Sequence, residues 1–437
     1  MVTPNRGRRD HFDHLSSLQA PWDDALMRIA IIGAGIGGLS AAVGLQRAGA
    51  EVTVFERAPE VRAGGSGLSI FANGLAALET LGLSEAFDAV TDASVEGFTA
   101  GQRRADGRWI AQVPNDSVGA LRIVDRADLH LILLEALTPG TIRTNAEVAS
   151  ARADGTLTFT TGFVDSDTAI VSAASVSAAS TDSATASLPS AEVPFDLVIG
   201  ADGLHSRVRS VVSGEPVAPR YSGYSAWRGI TSVPVDLSGE AGESVGRGRR
   251  FGIAPLADGR VYWFAVANMP QDAVFADEKA TVEQMFAGWH SPIAELIAAT
   301  PAEEVRRTAI SDLSRRLARF HRGRVVLLGD AAHAMTPNLG QGGGQALEDA
   351  ATLTVLLTPL LAGHRAGSAV ETALQSCDDL RRPRTQAIAR KSRLMGQVFQ
   401  LESPLLAGLR DAIFSAVPSR FIAAQAASVQ KWSPPPV

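Results

Sequence analysis

Three spacings of apolar residues divide the chain before any single residue needs interpretation. Arg28–Ile32, RIAII, is a short apolar run ending in glycines, the pattern of a parallel strand buried on both faces. Gly38 to Ala48 is rich in alanine and leucine and reads as a helix, and Glu51–Glu56, EVTVFE, as the next strand. Strand, helix and strand together take roughly 30 residues, the size of one βαβ unit. In Asp125–Leu137 the apolar positions Leu129, Ile132, Leu133 and Ala136 recur at helical spacing. Thr156–Phe163 and Phe195–Gly200 read as strands.

From Arg220 to Met269 the pattern changes to strands separated by turns, which predicts a separate, mostly antiparallel sheet inserted into the α/β unit. GRVVLLGD returns the chain to the first sheet, and the remainder reads as helix to about Ala427. SPLLAGLRDAIFSAV is expected to pack on its own domain rather than face a partner or a membrane surface. The predicted fold class is α/β, a Rossmann-type cofactor domain with an inserted antiparallel substrate sheet and C-terminal helices. Residues 27–98, 121–215 and 312–400 are assigned to the cofactor domain, 99–120 and 216–311 to the substrate domain, and 401–437 to a C-terminal helical segment. Residues 1–26, ahead of MRIAIIGAG, are expected to be a disordered extension. Residues 165–192 are mostly Ser, Ala and Thr with few large apolar side chains, so a flexible insertion is expected there.

Composition narrows the function by exclusion. A net charge of -6 argues against a nucleic-acid partner, and the short clusters Arg247–Arg250 and Arg381–Arg384 read as solvated faces or anion contacts. The single cysteine, Cys377, excludes an intramolecular disulfide and any Cys-rich metal site, and fits a cytoplasmic location. No apolar run reaches the roughly 18 residues of a transmembrane span, and the first 26 residues lack the apolar core of a signal peptide.

The chemistry begins at GAGIGG, where Gly33, Gly35 and Gly38 form GxGxxG after a strand and before a helix. The first glycine permits the tight turn, the second lets the backbone approach a pyrophosphate, and the third lets helix and strand pack closely. Glu56 stands about 20 residues on, where an acid can bind a ribose hydroxyl. This motif alone does not separate NAD from FAD. Two further pieces do: Asp202-Gly203 in VIGADGLHSRVR, and Gly329-Asp330 in LLGDAAHAMTPNLGQGGGQALEDA.

With these three motifs in order, the chain from about Met27 to Arg393 resembles the single-component FAD-dependent aromatic hydroxylases, the group A flavoprotein monooxygenases. RYSGYSAWRGI, FAGWHSPIAELIAA and TPNLGQGGGQALEDA are most similar to the FAD-dependent urate hydroxylases and their zeaxanthin-epoxidase-like relatives. The resemblance implies a two-domain fold, FAD as cofactor, NADH or NADPH as reductant, O2 as co-substrate and no metal. It implies FAD contacts at Gly33, Gly35, Gly37, Gly38, Glu56, Arg57, Ser69, Arg126, Val148, Asp202, Asp330, Gly340, Gln341, Gly342, Gly343 and Gly344. Asp330 would hold the ribityl hydroxyls, and His333 is expected to be structural. The glycines would set bare N–H groups against the flavin just before a helix running to about Leu357. The dipole of that helix would favour negative charge on the flavin.

The same resemblance points to Arg250 and Tyr262 as the substrate contacts, with Arg228 in AWRG as a second anion contact that urate hydroxylases lack. Arg offers a fork of donors and Tyr a hydroxyl, which suits a planar, oxygen-bearing or anionic ring. A two-residue turn at Asp258-Gly259 would place Arg250 and Tyr262 on opposite faces of their hairpin. A three-residue loop, Ala257-Asp258-Gly259 with Gly259 left-handed, would place them on one face, and that loop is the expectation. The activity implied is NAD(P)H-dependent hydroxylation of a small aromatic or polycyclic substrate through a flavin C4a-hydroperoxide, by a monomer or homodimer. Epoxidation of an olefinic or lipid substrate, or flavin binding without turnover, remain the alternatives.

Overall fold

The computed structural model describes residues 26–61, 66–92, 97–113, 120–160, 192–361 and 367–436. Of the two segments expected to lack order, residues 1–25 and 165–191 lie outside the described residues, while Glu192 opens a strand.

Continuous apolar runs form the centre of a six-stranded sheet, because both of its faces are covered. From edge to edge its strands are His321–Arg322, Val325–Leu327, Leu197–Gly200, Arg28–Ile32, Glu51–Phe55 and Ile142–Arg143. All neighbours are parallel except the pair at the His321–Arg322 edge. Side chains alternate between the faces. Ile29 and Ile31 join Leu39 of helix Ile36–Arg47 and Leu347 of helix Gly342–Leu361 in one core, while Ala30 and Ile32 join Phe55, Phe159 and Phe195 in another. Asp125 caps helix Arg126–Glu135 by accepting from the Ala127 N–H at 3.0 Å, and Leu129, Ile132 and Leu133 are buried.

The second sheet has seven strands, in the order Arg306–Leu313, Pro219–Ile230, Val261–Asn268, Arg249–Pro255, Gly242–Val245, Ala100–Arg104 and Trp109–Val113. Only the pairing of Gly242–Val245 with Ala100–Arg104 is parallel. One face buries Trp227, Phe251 and Trp263 beneath helices Glu278–Met285 and Ile293–Ala298. The other face carries Tyr224, Ala226, Phe264, Val266 and Ile310. It meets the two-stranded unit of Gly67–Phe71 and Leu121–Asp125, so closely that a Cβ on Gly67 would collide with the Tyr262 ring.

The hairpin has the three-residue loop. Ala254 pairs with Tyr262, Pro255 with Val261, and the Leu256 N–H donates to the Arg260 carbonyl at 2.8 Å. Gly259 then takes a left-handed φ of 81°, which favours glycine. Tyr262 and Arg250 therefore lie on the same face.

Helix Pro404–Ala416 packs against strand Trp109–Val113. It docks through Ala407, Arg410 and Asp411, with the Arg410 guanidinium donating to the carbonyls of Gly246 and Phe399. Phe414 packs on Phe399, while Leu405, Leu406, Leu409 and Ile413 are exposed. Among the described residues no helix is long and apolar enough to cross a membrane.

Candidate cofactor and substrate site

The turn after strand Arg28–Ile32 is shaped by its glycines. Gly33 has φ 104°, and a Cβ there would sit 2.5 Å from the Ala201 carbonyl oxygen. A Cβ on Gly38 would collide with the Gly33 carbonyl, and one on Gly37 would press Leu328 at 2.7 Å. A Cβ on Gly35 would meet nothing within 4 Å, so that position opens onto free space. Beside it lies a cavity of ≈ 370 Å³, lined by Ala34, Gly35, Glu56, Val61, Arg126 and His130. Glu56 accepts from the N–H groups of Ala34 and Ala58, both at 2.9 Å, which fixes its carboxylate on the cavity wall. The His130 ring bonds the Ala34 carbonyl at 2.9 Å. Arg57 and Arg126 are exposed, and Arg126, the first residue of its helix, supplies the positive charge here.

The Asp202 carboxylate ties down its own segment, accepting from the N–H groups of Arg207 at 2.7 Å and Val208 at 3.2 Å. Its second oxygen is buried and has no hydrogen-bond partner. Arg209 is buried behind it, and burial pulls its guanidinium below the usual range against the opposing pull of Asp202 and Asp330. Asp330 stands at the end of the segment leaving strand Val325–Leu327, accessible to solvent but walled by protein. That enclosure pushes its carboxyl above the ordinary range, while His333, Arg126 and Arg209 act to lower it.

The glycine cluster differs from expectation. Gly342, Gly343 and Gly344 do not precede the helix; they are its first turn, and the helix continues to Leu361. Only Gly340, with φ 62°, and Gln341 lie ahead of it. The first N–H groups of a helix have no acceptor within it, so the glycines still present bare donors. Gly340 lies against Ser69 and Phe71 of strand Gly67–Phe71, and Gly343 against Leu68.

Behind this turn is a buried polar network. Gln341 accepts from Asn73 at 3.0 Å, and Asn73 also donates to Glu348 at 2.6 Å. Arg381 bonds Glu348 and Asp349, the latter at 2.7 Å, and Arg384 adds two bonds to Glu348. Of the two readings of Arg381–Arg384, a solvated face or anion contacts, Arg381 at 2% exposed fits only the second, with the protein's own carboxylates as the anions. Its long-range carboxylate partners make its burial tolerable. His333 bonds Asp349 at 2.6 Å, and the Gly329 N–H reaches the same oxygen at 2.8 Å. Burial raises the Asp349 carboxyl, but His333 and Arg381 outweigh it and hold the group at about 2.

On the substrate sheet, Arg250 and Tyr262 share the face that meets Gly67–Phe71, but their surroundings differ. The Arg250 guanidinium is 2% exposed and bonds Gln400 at 2.9 Å, Glu243 at 3.1 Å and Asn338 at 2.7 Å. Asn338 also donates to the Tyr224 phenol at 2.9 Å, linking the sheet to the segment before Gly340. Tyr262 bonds Arg228, which is half-buried on the same face. Burial pushes both phenols up, with Asn338 and Arg228 acting the other way at Tyr224 and Tyr262 respectively, so both remain hydroxyls at neutral pH. The Phe264 ring lies against Gly252, where a Cβ would collide with it.

A family model described as an FAD binding domain matches residues 27–392. The chain belongs to this family. Aurachin C monooxygenase/isomerase of Stigmatella aurantiaca is 34% identical over 400 residues, covering 90% of this chain and 95% of its own length. The 3-amino-4-hydroxybenzoate 2-monooxygenase of Streptomyces cremeus is 33% identical over 392 residues, covering 86% and 89%. The crystal structure of Klebsiella pneumoniae HpxO complexed with FAD and uric acid matches with a TM-score of 0.76 at 26% identity, covering 92% of this chain and 96% of that one. The chain is thus an FAD-dependent monooxygenase, an oxidoreductase.

The flavoprotein's residues suit FAD on structural grounds. An open position at Gly35, a second at Gly342 and an unpartnered Asp202 oxygen are what an extended, hydroxyl-rich cofactor requires. Val148 stands apart from the other expected contacts. Its side chain is 5% exposed and packed with Phe55 and Phe159, leaving only main chain to offer. Sequence reasoning missed His130, Asn73 and Asn338, whose partners are 96, 275 and 114 residues away respectively. The apolar spacing of helix Arg126–Glu135 carried one signal, placing His130 beside Leu129 on the buried side.

Proposed function

We propose that this flavoprotein hydroxylates a small aromatic or polycyclic substrate at the expense of NADH or NADPH and O2. The observation that carries the reading is the arrangement of parts on one sheet face: Tyr224, Phe264 and Tyr262 line a largely buried surface opposite strand Gly67–Phe71 and its neighbour, the glycine turn. FAD would be held by Gly33, Gly35, Glu56, Arg126, Asp202, Asp330 and the turn from Gly340 to Gly344, and would supply the redox and oxygen-activating chemistry.

The chain's own groups position and enclose. Phe264, Val266 and Ile310 exclude water from the ring's surroundings, which strengthens every polar contact made there. The Tyr224 and Tyr262 hydroxyls are donors for ring oxygens. The helix N-terminus at Gly342 favours an anion by about 0.3–1 kcal/mol, and by up to about 2 kcal/mol when partly buried. The reading is tested by substrate-stimulated NAD(P)H oxidation coupled to a product one oxygen heavier. Oxidation that yields only hydrogen peroxide across a broad aromatic panel overturns it.

A further inference from the structure

A cavity of ≈ 240 Å³ lies beside the short helix Asp330–His333, in a part of the molecule that the hydroxylase reading leaves without a task. Arg315, Arg316, Arg390 and Arg393 wall it, Leu317 and His333 are among its buried lining, and no Asp or Glu among the described residues lines it. Two segments converge there. Arg315 and Arg316 follow strand Arg306–Leu313, while Arg390 and Arg393 stand three apart on helix Gly367–Phe399 and so share one of its faces.

The charges around this space do not balance. Arg315 pairs with Glu215, and Arg393 with Asp312 at 2.5 Å. Asp312 is itself shared with Arg220 at 3.1 Å. Arg316 and Arg390 form no ion pair or hydrogen bond among the described residues. Guanidinium groups gathered round a concave, partly apolar wall focus a positive potential into it. His333 adds a second sign of incompleteness. Its Nε2 is committed to Asp349 at 2.6 Å, while its Nδ1 is buried with no hydrogen-bond partner. Buried polar atoms are nearly always hydrogen-bonded, so this nitrogen points to a partner from outside the chain.

From this we propose that the cavity binds a phosphate group, as the free ion or as a phosphomonoester on a larger molecule, with Arg316 and Arg390 as its principal contacts. A flat carboxylate is satisfied by one guanidinium fork; forks arriving from two segments suit the tetrahedral oxygens of a phosphate. The volume corresponds to about eight waters at roughly 30 Å³ each, which leaves room for the sugar of a phosphomonoester. The proposal goes beyond the hydroxylase reading and does not depend on it.

The test is calorimetric titration of the FAD-loaded protein with inorganic phosphate, pyrophosphate, 5′-AMP and 2′-AMP, with adenosine as the phosphate-free control. At least one phosphate should bind at millimolar concentration or below, and adenosine should not. Arg316→Gln and Arg390→Gln should each weaken that binding roughly 10- to 150-fold, the worth of one charge-assisted hydrogen bond. Arg390→Lys should lose less than Arg390→Gln, because the charge stays and only the fork goes. Arg319→Gln removes an exposed arginine outside the cavity and should leave affinity within twofold. Arg316 and Arg390 are exposed, so flavin content and thermal midpoint of their variants should match the wild type. A nucleotide that binds 10-fold more tightly than inorganic phosphate identifies a phosphomonoester as the ligand, and equal binding identifies the free ion; either upholds the proposal. No binding of any phosphate, adenosine binding as tightly as AMP, affinity unchanged in both glutamine variants, equal loss in Arg319→Gln, or a lowered midpoint in the glutamine variants, overturns it. No turnover is measured, so failure of the hydroxylase reading leaves these outcomes unchanged.

Discussion

Gly342→Val separates cofactor binding from folding. A Cβ at Gly342 meets nothing within 4 Å, and the backbone there is ordinary helix, so the protein itself accommodates the new side chain. Valine is a better helix residue than glycine by a few tenths of a kcal/mol, so the apoprotein should keep or slightly raise its thermal midpoint. The isopropyl group instead fills the space in front of the bare N–H groups. Losing one hydrogen bond to an anionic flavin oxygen costs about 1.5–3 kcal/mol, or roughly 10- to 150-fold in Kd. Titrating FAD into apoprotein by fluorescence quenching measures this directly. Gly33→Ala is the contrast: its Cβ would stand 2.5 Å from the Ala201 carbonyl at φ 104°, so it should destabilise the apoprotein itself. Unchanged FAD affinity and flavin reduction in Gly342→Val would show that the turn does not face the cofactor. A lower apoprotein midpoint would show that the free space does not exist.

Two further expectations follow from the buried charges. Asp349→Asn leaves Arg381 short of a counter-charge and should cost about 3–5 kcal/mol by chemical denaturation. Because the Asp349 carboxyl is held at about 2 against an ordinary 3.8, its contribution is complete above pH 4 and lost as the pH falls towards 2. That difference corresponds to about 2 kcal/mol, so the stability gap between wild type and variant should narrow by this much over that interval; a gap independent of pH would contradict the assignment. Burial pushes the Cys377 thiol up to about 12, so a thiol reagent at pH 8 should react only as the protein unfolds. Prompt labelling of the native protein would show that the helix Gly367–Phe399 opens there.

What could be read from the sequence was local, and what could not was a matter of distant partners. Arg28–Ile32 and Leu197–Gly200 were legible because strands buried on both faces are apolar throughout. The hairpin was legible because Ala257-Asp258-Gly259 contains the residue that a left-handed loop position favours. The start of helix Gly342–Leu361 was hidden because three glycines are poor helix formers; the close approach of Leu68 and Asn73 to Gly343 and Gly344 explains their presence there. Arg381 could be read as solvated because the carboxylates that neutralise it lie 32 and 33 residues away on another helix. Arg250 looked like a free fork because Glu243, Asn338 and Gln400 come from three separate segments. In both cases the residue type was informative and the charge balance was tertiary.

The most direct test of monooxygenase function is the fate of labelled oxygen. Purified protein reconstituted with FAD would be supplied with NADH or NADPH, a broad panel of aromatic and polycyclic rings and 18O2, and the products weighed by mass spectrometry. The account predicts a hydroxylated product carrying one atom of 18O, formed in proportion to the nicotinamide consumed. Label entering from water, or nicotinamide consumed with hydrogen peroxide as the sole oxygen product for every member of the panel, would contradict it.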